Sequence, residues 1–123
     1  MTKQKVLVME DEPGIGDSLK KMFDYNGLDA TLITTPNDGL KILEGQQFDF
    51  VVSDGEGWQS CYNRAIDLYS MKKVVIYSGN RELVGQLKRQ GYLVYIKGSQ
   101  NNDTIKSPGG LVDEVKRLLS IPN

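Results

Sequence analysis

Five short apolar runs, each followed by a stretch of helical periodicity, constrain this chain more than any other feature. The first, "KVLVM" from Lys5 to Met9, is β-branched and almost continuously apolar, the pattern of a strand covered on both faces. Ala30 to Thr34, Phe48 to Ser53, Lys73 to Tyr77 and Tyr92 to Ile96 repeat it. Between them apolar residues recur three and four apart: Ile15, Leu19, Met22 and Phe23; Leu40 and Leu43; Tyr62, Ala65, Ile66 and Tyr69; Leu83, Val84 and Leu87. A closing stripe runs through Leu111, Val112, Val115, Leu118 and Leu119.

Local signals agree with this division. Thr35 caps a helix that Pro36 and Asp38 suit in its first turn, Asn80 caps another, and Gly27 and Gly91 supply stops. No hairpin-type turn separates the strands, so the alternation predicts an α/β fold, a five-stranded parallel sheet with helices on both faces. Gly98 to Gly110 reads as an unusually long polar loop. A length of 123 residues suits one domain, residues 1–123, with one core.

Composition excludes several functions. No apolar run approaches the roughly 18 residues of a membrane span, and "MTKQKVLV" lacks a secretory layout, so a cytoplasmic location is expected and a membrane role is not. The chain has no histidine and one cysteine, Cys61, which rules out an intrachain disulfide and argues against zinc or histidine-based catalysis. Residues 1–60 hold five Lys/Arg against eleven Asp/Glu, and residues 61–123 hold ten against five. With a net charge of −1, nucleic-acid binding is not indicated, while the basic half could face a protein partner.

In open parallel sheets, ligands bind beyond the carboxyl ends of the strands. Here those ends carry Glu10-Asp11-Glu12 after the first strand, Asp54 after the third, Ser78 after the fourth and Lys97 after the fifth. If the first and third strands are neighbours, Glu10, Asp11 and Asp54 converge, and carboxylates within about 4–6 Å of one another repel and hold their protons more tightly. A cation relieves this. An oxygen-only donor set favours a hard ion, and Mg²⁺ needs only one or two carboxylates. With Lys97 as a second positive charge, Ser78 as a hydroxyl and Asp54 as nucleophile, the parts suit phosphoryl transfer.

These residues resemble the receiver domains of bacterial two-component response regulators, including single-domain chemotaxis-type proteins. "VLVMEDEP" is similar to the motif whose acidic pair holds Mg²⁺, "FDFVVSD" to the strand ending in the phosphorylated aspartate, "VVIYSG" to that ending in Ser or Thr, and "YIK" to that ending in lysine. The resemblance implies a flavodoxin-like (βα)5 fold with strand order 2-1-3-4-5. It implies Asp11 as a direct Mg²⁺ ligand, Glu10 acting through water, Asp54 as phosphoacceptor and metal ligand, and the backbone carbonyl of Glu56 completing the shell. Ser78 and Lys97 would hold the phosphoryl oxygens. The implied function is a signalling switch rather than an enzyme. A histidine kinase or phosphotransfer protein would be the donor, a downstream protein the target, and the chain a monomer or weak dimer.

The sequence departs from the family at three places. Gly55-Glu56-Gly57-Trp58 replaces the usual Met-Pro-containing loop after the acceptor. Gly98 stands where a cis-proline usually follows the lysine, which predicts a trans bond and a rearranged or looser lysine loop. Val94 replaces the aromatic that usually reports activation, and Tyr95 points to the opposite face. The rebuilt loop and Gly98 favour a second reading, a degenerate receiver acting as a phosphorylation-independent interaction module. A third, a small aspartate-nucleophile phosphatase, fits Asp54-Gly55-Glu56 but lacks the Thr/Val expected after the second acid and any cap insertion. Trp58 reads either as a partly buried loop aromatic or as a partner-facing anchor, and Cys61 as a helix-face filler.

Overall fold

The computed structural model describes residues 2–119. Its elements run β1 (Lys5–Met9), α1 (Pro13–Tyr25), β2 (Asp29–Ile33), α2 (Pro36–Gly45), β3 (Phe50–Ser53), α3 (Gln59–Tyr69), β4 (Val74–Ser78), α4 (Arg81–Arg89), β5 (Leu93–Lys97), β6 (Ile105–Lys106) and α5 (Pro108–Leu118), with a 3-10 turn over Met71–Lys73 before β4. All strand pairs are parallel, in the order β2-β1-β3-β4-β5-β6.

The doubly wound arrangement follows from the strands' double-faced apolarity. In β1, Leu7 and Met9 enter one core with Val51, Trp58, Ala65, Ile76, Val84 and Val94, while Val6 and Val8 enter the other with Leu19, Phe23, Val52, Val75 and Leu111. Helices α2, α3 and α4 line the first face and α1 and α5 the second. Each buried aliphatic side chain contributes on the order of 1.5–3 kcal/mol, so the central strands can be polar only at their ends.

The caps form as expected at two helices. Thr35 Oγ1 accepts from the Asp38 amide at 3.4 Å, and Asn80 Oδ1 from the Leu83 amide at 3.0 Å. Ser70, between α3 and the 3-10 turn, is different: it has φ 98° and ψ 160°, a region that side chains other than glycine rarely enter.

The polar segment after β5 corrects the sequence reading. It holds a sixth strand, and α5 begins at Pro108 rather than after Gly110. Two residues of pairing are too few to leave a periodic signal, and side chains do the rest. Asn102 Oδ1 accepts from the amides of Thr104 (2.9 Å) and Ile105 (2.8 Å), and Asn101 Oδ1 accepts from the Ser107 amide at 3.0 Å.

On both outer strands the chain itself engages outward-facing backbone groups. At β2, the Ala30 amide donates to Asp24 (3.0 Å) and its carbonyl accepts from Lys20 (2.8 Å), two residues paired on α1. At β6, the Ile105 amide is taken by Asn102, whose own amide donates to the Ile105 carbonyl at 2.9 Å. No helix of the described residues is long and apolar enough to cross a membrane.

Candidate functional site

The carboxyl ends of β1, β3, β4 and β5 meet in a cavity of about 530 Å³ lined by Asp11, Glu12, Asp54, Glu56, Ser78, Gly79, Asn80 and Lys97. Register brings them together: Met9 pairs with Ser53, and Ser78 with Ile96, so the residues just beyond share one edge. The Asp54 amide continues the ladder by donating to the Met9 carbonyl at 2.7 Å.

Lys97 is the centre of the charge arrangement. Its ammonium lies 2.9 Å from Glu10, 3.0 Å from Glu12 and 3.2 Å from Asp54. The lysine side chain is 9% exposed and that of Glu10 only 2%, whereas Glu12, at 59%, reaches in from the solvent side. One cation therefore faces three acids.

The titration behaviour follows from that imbalance. The Glu10 carboxyl is raised to about 8, first by burial and then by its hydrogen bond to Asp54, with Lys97 offsetting part of the rise. Burial also raises Asp54, against the lowering effect of its bond to Glu10, the Lys97 charge and the Gly55 amide. Both carboxyls are thus held toward their protonated forms. Burial would lower Lys97, but Glu10, Glu12 and Asp54 outweigh it and the ammonium stays charged.

A hard cation fits this donor set. Oxygens of Glu10, Glu12 and Asp54 lie within 4.8 Å of one another, and carboxyls forced toward protonation by burial would be relieved by added positive charge. Asp11 is exposed and lines the cavity beside them. Glu56 sits on the rim, where its carboxylate accepts from the Asn80 side-chain amide at 3.0 Å. Ser78 Oγ is buried and accepts from the Asn80 amide at 3.0 Å.

The loop after Asp54 is built for close approach. The Trp58 amide donates to the Gly55 carbonyl at 3.0 Å, closing a turn in which Gly57 takes φ +85°, a value that favours glycine. A Cβ on Gly55 would stand 2.9 Å from Ser78 Oγ and from Leu83 Cδ2, so the loop rests directly on β4 and α4. The turn delivers Trp58 into the interior, where it is 1% exposed beside Gly39, so neither the partly buried nor the partner-facing reading of it holds. Cys61 is fully buried, the helix-face filler expected.

After Lys97 the chain takes a course that proline could not. Described peptide bonds are all trans, and the Gly98 amide donates to the Lys106 carbonyl at 3.1 Å. Tyr95 points away from the cavity, its hydroxyl donating to Glu114 at 2.7 Å.

Sequence reasoning assigned no role in the site to Glu12, and Asn80 entered it only as a helix cap. Glu12 carries the same signal as its neighbours in the acidic triplet, but spacing does not say which of three consecutive acids turns inward. The Asn80 bond to Glu56 joins two loops 24 residues apart and leaves no local trace.

Fold and site edge together define a flavodoxin-like α/β protein with an acid-and-lysine cluster at the carboxyl ends of its strands. No protein-family model matches the sequence, and no curated protein does. Among solved structures, the chain is similar to a CheY-like response regulator receiver domain protein of Methanospirillum hungatei, with TM-score 0.77, 21% identity, and 97% and 95% of the two chains covered. The receiver domain of a Francisella response regulator gives TM-score 0.75, 21% identity, and 96% and 98% coverage. The response regulator TrrA of Thermotoga maritima, solved in complex with Mg²⁺-BeF, gives 0.73, 21%, and 94% and 98%. The chain has the fold of CheY-like receiver domains over nearly its whole length.

Proposed function

We propose that this protein is a phosphorylation-controlled switch in which Asp54 accepts a phosphoryl group and the modified chain changes its binding preference for a partner protein. One observation carries the reading: a nearly buried lysine reaches the Asp54 carboxylate within a cluster of acids at the strand ends of a receiver fold. A scaffold has no structural need for acids so crowded that burial holds one protonated near neutrality.

In this reading an Asp54 oxygen forms the new bond to phosphorus as the bond to the donor's leaving group breaks in line, the electron pair departing with that group. The Lys97 ammonium leaves Glu12, its most exposed partner, to hold a phosphoryl oxygen, and the Ser78 hydroxyl turns from the Asn80 amide to donate to another. Glu10, Asp11, Asp54 and the Glu56 carbonyl would hold Mg²⁺, which supplies positive charge against the equatorial oxygens. The donor class is a histidine kinase or phosphotransfer protein, met in the cytoplasm. Turnover of a separate substrate is not part of this reading.

A second reading, the phosphorylation-independent interaction module, is favoured by the Gly55 packing, which leaves no space between that loop and Ser78. One experiment separates the two. The protein is titrated with beryllofluoride and Mg²⁺ while Trp58 fluorescence is followed, and is incubated with acetyl phosphate for intact mass, with Asp54→Asn as control. A saturable, Mg²⁺-dependent response and a single phosphoryl adduct, both lost in the variant, are expected. No response and no adduct would leave the interaction module.

A further inference from the structure

We propose that Tyr77 is a positioning residue for Lys97, acting through strand β6 as a clamp on the main chain beside the lysine. The proposal rests on the reading of Lys97 as the residue that holds the phosphoryl group.

The clamp is a set of hydrogen bonds converging on one carbonyl. Tyr77 is buried in β4, next to Ser78, and its hydroxyl donates to the Lys106 carbonyl at 2.7 Å. The same carbonyl accepts from the Gly98 amide at 3.1 Å, and Lys106 is the register partner of Lys97. On the other side of the lysine, the Ile96 amide donates to the Thr104 carbonyl at 2.8 Å. Both residues flanking Lys97 are therefore tied to the β6 segment, Gly98 to Lys106 and Ile96 to Thr104 just before the strand.

Two residues of pairing make a weak anchor alone, because an isolated short strand is marginal. Asn102 fixes β6 from the preceding side and Asn101 fixes the chain after it, so the strand is held before it holds anything. Tyr77 then joins it to the sheet interior across β5. A glycine after Lys97 would otherwise leave the 97–98 peptide free to rotate. The ammonium sits at the end of a four-carbon stem, so small rotations there become large displacements at Asp54.

The test uses the full chain labelled with ¹⁵N and with ¹³Cε-lysine, comparing wild type, Tyr77→Phe and Tyr95→Phe. Tyr95→Phe removes a half-buried hydroxyl bond of the same length, to Glu114, that does not lead to Lys97. In Tyr77→Phe, exchange of the Gly98 amide should accelerate roughly tenfold and the Lys97 Cε resonance should move toward those of exposed lysines. Beryllofluoride affinity should fall by a similar factor, while Tyr95→Phe changes none of the three. An unchanged Gly98 amide and Lys97 resonance in Tyr77→Phe overturns the clamp, as does an equal change in Tyr95→Phe. A shifted Lys97 with wild-type beryllofluoride affinity overturns the positioning role. If the wild type binds no beryllofluoride yet both signals respond to Tyr77→Phe, the clamp stands and the phosphoacceptor reading falls.

Discussion

Gly98 and Ile105 approach so closely that a Cβ on the glycine would stand 2.5 Å from Ile105 Cγ2. The Gly98 amide is also a donor to β6, so the position excludes a side chain and proline for separate reasons. Gly98→Ala should destabilise the protein by about 1–3 kcal/mol through overpacking, measured by urea unfolding. Gly98→Ala combined with Ile105→Ala should recover part of that loss, a coupling of roughly 0.5–3 kcal/mol in a double-mutant cycle. Simple additivity of the two would show that the close approach is not what excludes the side chain.

Lys97 is the counter-charge to three acids, and its side chain is 9% exposed. Lys97→Met should cost about 3–5 kcal/mol at pH 8, since it leaves buried carboxylates unpaired. At pH 5 the cost should be smaller, because Glu10 already carries a proton there. Thermal melts at the two pH values give the comparison, and equal losses would contradict the charge argument.

Glu10 sets a pH dependence of definite sign. Its carboxyl moves from an ordinary 4.5 to about 8 in the folded chain, so between those values the native state binds more protons than the unfolded one. That contribution is fully present below 4.5 and is lost as pH rises through 8. Stability should therefore decline across this window, by an amount on the order of a few kcal/mol. Glu10→Gln should flatten the decline in denaturant titrations, and added Mg²⁺ should oppose it in wild type only.

Ser70 occupies backbone space that suits glycine, at φ 98° and ψ 160°. Its hydroxyl accepts from the Lys72 amide at 3.3 Å, a long bond of small value. Ser70→Gly should raise stability by about 1 kcal/mol, because relief of backbone strain exceeds the lost cap. A lower melting temperature for Ser70→Gly would show that the hydroxyl outweighs the strain.

Much of this architecture was legible in the residues, for a physical reason: strands buried on both faces write themselves as continuous apolar runs, as Val6 to Met9 and Val74 to Tyr77 do. The order of the strands came only with the family resemblance, since pairing partners leave no local mark. What stayed hidden depends on single contacts between distant segments. Strand β6 owes its place to Asn102 and Tyr77, whose identities read as loop polarity and core aromatic. The inward turn of Trp58 depends on Gly57, whose φ of +85° no periodic pattern announces. At the site, the polar residues were visible as punctuation at strand ends, but which acids are pushed toward protonation is a matter of burial, a three-dimensional quantity.

The side-chain closures at Ala30 and Ile105 bear on how this molecule meets its own copies. Sheets grow between molecules when an outermost strand offers unoccupied amides and carbonyls to another chain. Here a neighbour arriving at either side finds those groups at Ala30 or Ile105 already engaged, by Lys20 and Asp24 or by Asn102. A strand added at either rim would first have to displace these side chains, which opposes template-driven pairing at both edges.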